Sequence, residues 1–219
     1  MSTESAANTT ELVSPSEIGH WGVRTTPDRY DALVQWHLDF FGGRKVYSGP
    51  RATMISYDNE HHREVIVQDP AFEPPKDRRK VGGIYHIAFT LTTLSELATS
   101  YEQKKAKGIL PSWPVNHGMT TSMYYFDPDG NEFELQVNNF DSTSEVVEFM
   151  QSAEYEQNPI GVDLVVEDWI KELRSGIDEK ELKKRPIIGK RQTRFENSIY
   201  FKLNHTDDYT KTGLEAVPS

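Results

Sequence analysis

The hydrophobic pattern of the chain occurs twice. His20 opens a short strand-like run, and the apolar residues after it recur at helical spacing until Gly42-Gly43. The run that begins at His86 has the same pattern, and its helical part ends at Gly108. The interval from histidine to glycine is 22 residues in both copies. Since glycine commonly follows the last residue of a helix, the chain is predicted to contain two copies of one strand–helix unit.

Each predicted helix leads into two further strands. These are ATMISYD and EVIVQD in the first copy, and SMYYF and EFELQV in the second. The second pair is joined by Asp127-Pro128-Asp129-Gly130, which is a strong turn signal. The predicted order is therefore βαββ twice, with modules at residues 18–70 and 84–138. The fold class is α+β, and the two modules are expected to form a cupped mixed sheet around a metal site.

The flanking segments differ in character from the repeated part. Residues 1–16 are rich in Ser, Thr and Glu and are interpreted as a mobile arm, which leaves residues 17–140 as the domain. Residues 141–219 are predicted to be a partly helical extension. Its helical runs are SEVVEFMQS, VVEDWIKELRSG and residues 179–184. We expect this extension to wrap the domain or to build a subunit contact.

Composition narrows the classes of partner. The 219 residues include 34 acidic and 24 basic side chains, a formal charge of −10, with no basic stripe. This argues against nucleic acid and anionic membranes as partners. There is no cysteine, which excludes a disulfide framework and a thiol nucleophile. No apolar run approaches the roughly 20 residues that span a bilayer, and no signal-peptide core is present. A cytoplasmic protein is expected, and a homodimer is possible.

Three residues of the repeat are candidate metal ligands. The two equivalent first strands offer His20 and His86, and the last strand of the second module offers Glu134. Aligning the two turns places Ile66 opposite Glu134. Alternate strand residues point to the same face, so two imidazoles, one carboxylate and one aliphatic side chain would share a cavity. This is the ligand set of a 2-His-1-carboxylate Fe(II) site, which leaves coordination positions open for substrate and oxygen.

The segment HGMTTSMYYFDPDGNEFELQ carries a family resemblance. It is similar to the vicinal oxygen chelate superfamily and, within it, to the type I extradiol dioxygenases, over roughly residues 17–140. The resemblance implies the same three ligands, His20, His86 and Glu134. It also implies Fe(II), with Mn(II) possible, a small aromatic diol of the catechol type as substrate, and O2. The aliphatic Ile66 is like the open-sided dioxygenase site, whereas glyoxalase I–like members have Gln or Glu at that position.

The same resemblance implies three catalytic residues. The His61-His62 pair resembles an element whose second histidine is the active-site acid–base, and His62 is predicted to have that role. Strand alternation counted from Ile66 also turns His62, rather than His61, toward the cavity. His117 and Tyr124 correspond to the residues that bind the catechol oxygens in the family. Histidine suits these proton transfers because its pKa is near neutrality.

Two other functions use the same fold. A metal-dependent isomerase, epimerase or lyase would keep the three ligands and use a glutamate base, such as Glu64 or Glu132, without consuming oxygen. A small-molecule binding module would have lost the metal. The intact ligands argue against the binding module, and the resemblance to the extradiol dioxygenases makes ring cleavage the main prediction.

Overall fold

A computed structural model of the chain describes residues 12–73 and 82–201. Most of the predicted arm, part of the linker between the modules and the end of the extension lie outside the described residues. Each module has the order βαβββ. The first comprises β1 (Trp21–Thr25), α1 (Tyr30–Phe41), β2 (Arg44–Ser48), β3 (Ala52–Ser56) and β4 (Glu64–Gln68). The second comprises β5 (Ile87–Thr90), α2 (Leu94–Lys105), β6 (Trp113–Asn116), β7 (Thr120–Phe126) and β8 (Glu132–Asn138).

Each module thus has one strand more than the βαββ order predicted from the sequence. The additional strands are β2 and β6. All five residues of β2, RKVYS, are exposed, so the strand has no alternation of apolar and polar positions. In β6, WPVN, every residue is buried and the second is proline, which is unusual within a strand. Neither segment carries the pattern from which strands are recognised.

The helix ends follow the predicted signals. Gly42 ends α1 in the left-handed conformation, with φ 62°, which glycine adopts without strain. Thr93 precedes α2, and its side chain accepts a hydrogen bond from the Glu96 N–H. These local signals fix the length of both helices.

The described strands form two mixed sheets, in agreement with the predicted α+β class. Their strand orders are β1-β4-β3-β2 and β5-β8-β7-β6-β9, where β9 is the short strand Val162–Asp163. The first strand of each module is parallel to the last strand, and the remaining pairs are antiparallel. The strands that follow the two predicted histidine ligands, β1 and β5, are therefore both at sheet edges.

The register corrects the predicted alignment of the modules. Gly22 pairs with Val65 in the first sheet, and Ala88 pairs with Glu134 at the equivalent place in the second. Val65, not Ile66, is the counterpart of Glu134. Ile66 is fully buried and packs against α1. The alignment of the two turns that was assumed in the sequence analysis is therefore off by one residue. A slip of one residue turns a strand side chain to the other face of the sheet.

Helix α1 contacts both sheets. Its residues Leu33 and Val34 pack on Ile66 of the first sheet. Its residue Phe40 lies against Tyr125 and Phe133 of the second sheet, with ring centroids 5.2 and 6.0 Å away. The helix-covered faces of both sheets therefore turn toward one shared layer. The faces that carry Val65 and Glu134 turn away from that layer.

A buried ionic cluster fastens the two modules together. His37 of α1 lies with Nδ1 2.6 Å from Glu64 Oε1 and with Nε2 3.2 Å from Asp127 Oδ2. The side chains of all three are fully buried. Burial alone would lower the pKa of His37, but hydrogen bonds to Asp127 and Glu64 outweigh it and raise this pKa to about 9. A protonated imidazole thus compensates two carboxylates from different modules.

Within its described residues, the extension contributes four helices and one strand. They are α3 (Thr143–Met150), α4 (Ala153–Gln157), β9, α5 (Val166–Arg174) and α6 (Glu179–Lys183). Strand β9 adds to the edge of the second sheet at β6, and the apolar face of α5 packs into the core beside α2. The extension therefore wraps the second module. None of the described helices is long and apolar enough to cross a membrane.

The His37 cluster predicts a loss of stability at alkaline pH. The pKa of His37 is raised to about 9 from an unfolded value of about 6.5. Its contribution is therefore fully present below about pH 6.5 and is lost as pH rises through about 9. We expect the free energy of unfolding to fall by on the order of 2 kcal/mol between about pH 7 and pH 9.5, as measured by urea denaturation.

The matched variant is His37→Gln, which cannot carry a charge. It should be less stable than wild type near neutrality, since two buried carboxylates lose their cation. Its stability should fall much less between the same two pH values. Lys104, whose pKa burial lowers to about 8, is common to both proteins and cancels in the comparison. An equal alkaline loss in both proteins would show that His37 does not carry this proton.

Candidate active site

Four of the predicted site residues lie together on the second module. His86 Nε2 is 3.0 Å from Glu134 Oε2. Tyr124 of β7 pairs directly with Glu134 of β8, so both side chains are on one face of the sheet. His117, in the loop between β6 and β7, lies with Nε2 3.0 Å from the Tyr124 hydroxyl. The structure thus brings together residues that are up to 48 positions apart in sequence.

Glu134 is held as a carboxylate. It is only 4% exposed. Burial opposes its ionisation, but hydrogen bonds from His86 and Ser122 outweigh the burial and lower the pKa of Glu134. Ser122 is on β7, two residues before Tyr124, and therefore points to the same face. The sequence analysis did not single out Ser122, because a serine in a strand has no distinguishing pattern.

The hydrogen bonds of His117 define its protonation. Its Nδ1 faces the backbone carbonyl of Ile160, which can only accept, so this nitrogen carries the proton. Burial lowers the pKa of His117, which favours the neutral ring. Nε2 is then an acceptor, and the Tyr124 hydroxyl donates to it. Burial, together with the nearby Glu134, raises the pKa of Tyr124, so the phenol keeps its proton.

His20 and His62 form a separate pair on the first module. Their ring centroids are 4.5 Å apart, and His20 is exposed immediately before β1. The alternation argument for His62 was wrong, because Glu64 and Ile66 face α1 and not the cavity. The ring of His62 nevertheless lies beside a predicted ligand. The six predicted site residues therefore form two groups, with two on the first module and four on the second.

The second group fits part of a metal site. His86 and Glu134 supply a nitrogen and an oxygen donor in contact, which are the donors that Fe(II) and Mn(II) accept. The Nδ1 atom of His86 is buried without a hydrogen-bond partner among the described residues. Within the described ranges, no three His, Asp or Glu side chains gather closely enough to hold a metal ion. His86 and Glu134 are thus the two predicted ligands whose side chains are in contact.

The extension builds a wall beside the second group. Trp113 of β6 stacks on Tyr124 with ring centroids 5.1 Å apart. The guanidinium of Arg194 lies 4.6 Å from the centre of the Trp113 ring and donates to Glu132 at 3.1 Å. Phe201 lies 4.5 Å from the same guanidinium, and its ring centroid is 5.8 Å from that of Trp113. A cation over the faces of aromatic rings is a stable arrangement, and this cluster lies beside Tyr124.

Two further arginines fix this wall. The buried Arg191 pairs with Asp163 at 2.7 Å, and Asp163 also accepts a hydrogen bond from the Trp113 indole at 2.8 Å. Arg185 donates to the backbone carbonyl of His117 at 3.0 Å. These residues lie in a polar segment without hydrophobic periodicity. No sequence signal distinguished them from surface residues.

Comparisons with known proteins identify the family of the chain. Residues 18–135 match the Glyoxalase/Bleomycin resistance protein/Dioxygenase superfamily. The chain is 40% identical over 134 residues to a protein named biphenyl-2,3-diol 1,2-dioxygenase 2 from Rhodococcus globerulus, which covers 61% of this chain and 70% of that protein. It is 36% identical over 168 residues to biphenyl-2,3-diol 1,2-dioxygenase 3 of the same organism, covering 77% and 87%. The chain belongs to this superfamily, as its resemblance predicted, and the family implies a divalent metal.

The corrected register predicts how two neighbouring residues respond to the same substitution. Ile66→Glu would bury a carboxylate against α1 and should lower the free energy of unfolding by more than about 3 kcal/mol. Val65→Glu places the carboxylate on the half-exposed opposite face and should cost about 1 kcal/mol or less. Urea denaturation of both variants measures this difference. Equal losses, or the reverse order, would show that the strand phase is wrong.

Proposed function

We propose that the protein is an Fe(II)-dependent extradiol dioxygenase that cleaves the ring of a catechol-type aromatic with O2. The observation that carries this proposal is the cluster of His86, His117, Tyr124 and Glu134. The names of the two relatives, both biphenyl-2,3-diol 1,2-dioxygenases, support it. In this reaction one ring bond beside the two hydroxyls breaks. Both atoms of O2 enter the product, and the ring supplies the electrons.

The proposed ligands are His86, Glu134 and His20. When bound, the metal supplies open coordination positions where a catecholate and O2 are activated together. The ionised state of Glu134, which its hydrogen bonds maintain, suits it to a divalent cation. Fe(II) is proposed over Mn(II) because the predicted chemistry is that of the extradiol dioxygenases.

The roles of His117 and Tyr124 follow from their hydrogen bond. The Nδ1 proton of His117 is fixed on the Ile160 carbonyl, so Nε2 is free to accept a proton from a catechol hydroxyl once the substrate replaces Tyr124 as donor. The released phenol of Tyr124 can then donate to a substrate oxygen. Trp113, stacked on Tyr124, offers an apolar surface for an aromatic ring and helps to exclude water. These residues bind and orient the diol.

His62 is proposed as the second proton-transfer residue. Its ring is 4.5 Å from that of His20, a proposed ligand, which supports a role beside the metal. His61 is exposed, with its ring 4.4 Å from His62 on the outer side of the pair. A histidine in this position can give a proton to an oxygen atom derived from O2 or from the substrate.

Oxygen consumption tests the reaction. Protein loaded anaerobically with Fe(II) should consume O2 with one or more members of a panel of catechols that includes biphenyl-2,3-diol, and one O2 should disappear per diol. Glu134→Gln should abolish uptake, whereas Gln136→Ala, two residues along the same face of β8, should retain it. If no catechol supports uptake by iron-loaded wild type, the dioxygenase proposal fails and the isomerase or lyase alternative replaces it.

A paired substitution tests the proton-transfer role. His62→Gln should lower the catalytic rate constant by about 10²- to 10⁴-fold, which is the usual contribution of a positioned acid–base group. The metal content should stay unchanged, because His62 is not a ligand. His61→Ala should have little effect, and it controls for damage to the local fold. If His61 proves essential and His62 dispensable, the role moves to His61.

A further inference from the structure

We infer that Arg185 of the extension is a positioning residue for His117, which it holds in one tautomer and one orientation. The inference rests on the proposed function, because the direction of the His117 ring matters for binding a diol. Arg185 acts through the backbone of His117 and through the loop that carries the hydrogen-bond partner of the ring. It has no proposed contact with the substrate or the metal.

The ring of His117 is held by the extension. Its Nδ1 faces the backbone carbonyl of Ile160, which lies in the loop between α4 and β9. Strand β9 pairs with β6, so that Val162 lies beside Asn116, the residue before His117. A hydrogen bond at one ring nitrogen of a histidine decides which nitrogen carries the proton. The Ile160 carbonyl can have this effect only while its loop stays against His117.

The shape of this loop is set by Asn158, whose side chain is buried. Its Oδ1 accepts hydrogen bonds from the N–H groups of Ile160 and Gly161, at 3.1 and 2.8 Å. Gly161 has φ 120°, and a Cβ atom there would lie 2.5 Å from the Asn116 carbonyl oxygen and 2.9 Å from Cα of His117. The loop is therefore pressed on the backbone of His117 so closely that only glycine fits.

Arg185 ties this loop to His117. Its side chain is only 2% exposed. Its Nη1 donates both to the His117 carbonyl at 3.0 Å and to the Asn158 carbonyl at 2.7 Å. Its Nε and Nη2 donate to the Glu154 carboxylate at 3.2 and 2.9 Å, and such a two-point pair fixes the direction of the guanidinium. One side chain thus connects the histidine with the loop that carries its acceptor.

Phe149 of α3 completes this arrangement. Gly118, which follows His117, has φ 96°, and a Cβ atom there would overlap the Phe149 ring. The centroid of the same ring lies 5.0 Å from the Arg185 guanidinium. Three separate parts of the extension therefore meet at one histidine of the second module. Supporting contacts that lock a side chain in this way are what an active site needs to keep its geometry.

The tautomer of His117 tests the inference without turnover. In the full chain, labelled with ¹⁵N in its histidine rings, NMR distinguishes protonated from unprotonated ring nitrogens. The signals of His117 are those that are absent from His117→Gln. Wild type should carry the proton on Nδ1. Arg185→Met, which keeps much of the apolar stem but has no donor, should show both tautomers at His117.

Arg174→Met is the matched control. Arg174 also joins the extension to the second module, since it pairs with Glu102 of α2 at 3.1 Å, but it does so on α5 through an exposed side chain. This variant should keep the single tautomer of His117 and the kinetic constants of wild type.

Kinetics of the iron-loaded protein give the second readout. Arg185→Met should lower kcat/KM by on the order of 10²-fold, mainly through a higher KM, because a misplaced His117 binds the diol poorly. Its iron content should equal that of wild type. Gly161→Ala should have the same two effects, since its methyl group forces the loop away from His117 while Arg185 is intact. This second variant tests the inference even if Arg185→Met does not fold.

The outcomes separate the positioning role from the reaction. A single Nδ1-protonated tautomer at His117 with a wild-type KM, in folded Arg185→Met or Gly161→Ala, would overturn the positioning role and leave the dioxygenase proposal intact. An equal change in Arg174→Met would also overturn it, because any loosening of the extension would then suffice. If wild type consumes no O2 with any catechol while Arg185→Met loses the single tautomer, the proposed reaction fails and the positioning role stands.

Discussion

The bridge that His37 makes between Glu64 and Asp127 determines how the two modules are placed. One imidazolium in the interior compensates a carboxylate from the first module and a carboxylate from the turn of the second. Without the imidazolium, both carboxylates would lose their cation partner in the interior, which is costly for buried charges. Because the contact is made on the helix-covered side of both sheets, it also decides which faces are left open. The faces that carry the candidate site residues are the ones that remain.

The aromatic packing around this bridge also fixes which face of each sheet is buried and which is open. Trp21 of β1 and Phe89 of β5 lie with ring centroids 4.9 Å apart, and both rings point into the shared layer. Since neighbours along a strand point to opposite sides, the histidines that precede these strands are turned outward with the ligand face. Alternate side chains of β1 and β5 thus point either to the apolar core or to the polar site. A single residue inserted in either strand would exchange the two faces of that strand.

The repeat pattern predicted the helix and three of the four strands of each module. It also pointed to His86 and Glu134, whereas His117 and Tyr124 were predicted from the family resemblance. The phase of β4 was not predicted, since the choice between Val65 and Ile66 depends on the length of one turn, and both residues are aliphatic. The orientation of the modules was also beyond the sequence. A repeat specifies what each unit contains but does not specify which of its faces meets the other.

The wall beside Tyr124 combines Trp113 of the repeated strands with Arg191 and Arg194 of the extension. The repeated strands hold the candidate site residues, while a segment outside the repeat supplies the two arginines. Such a segment can change in sequence or length without disturbing the hydrogen-bonded ladders that align the reactive groups. Divergence in the choice of aromatic compound can therefore proceed in the tail of the chain while the chemistry of the scaffold is preserved.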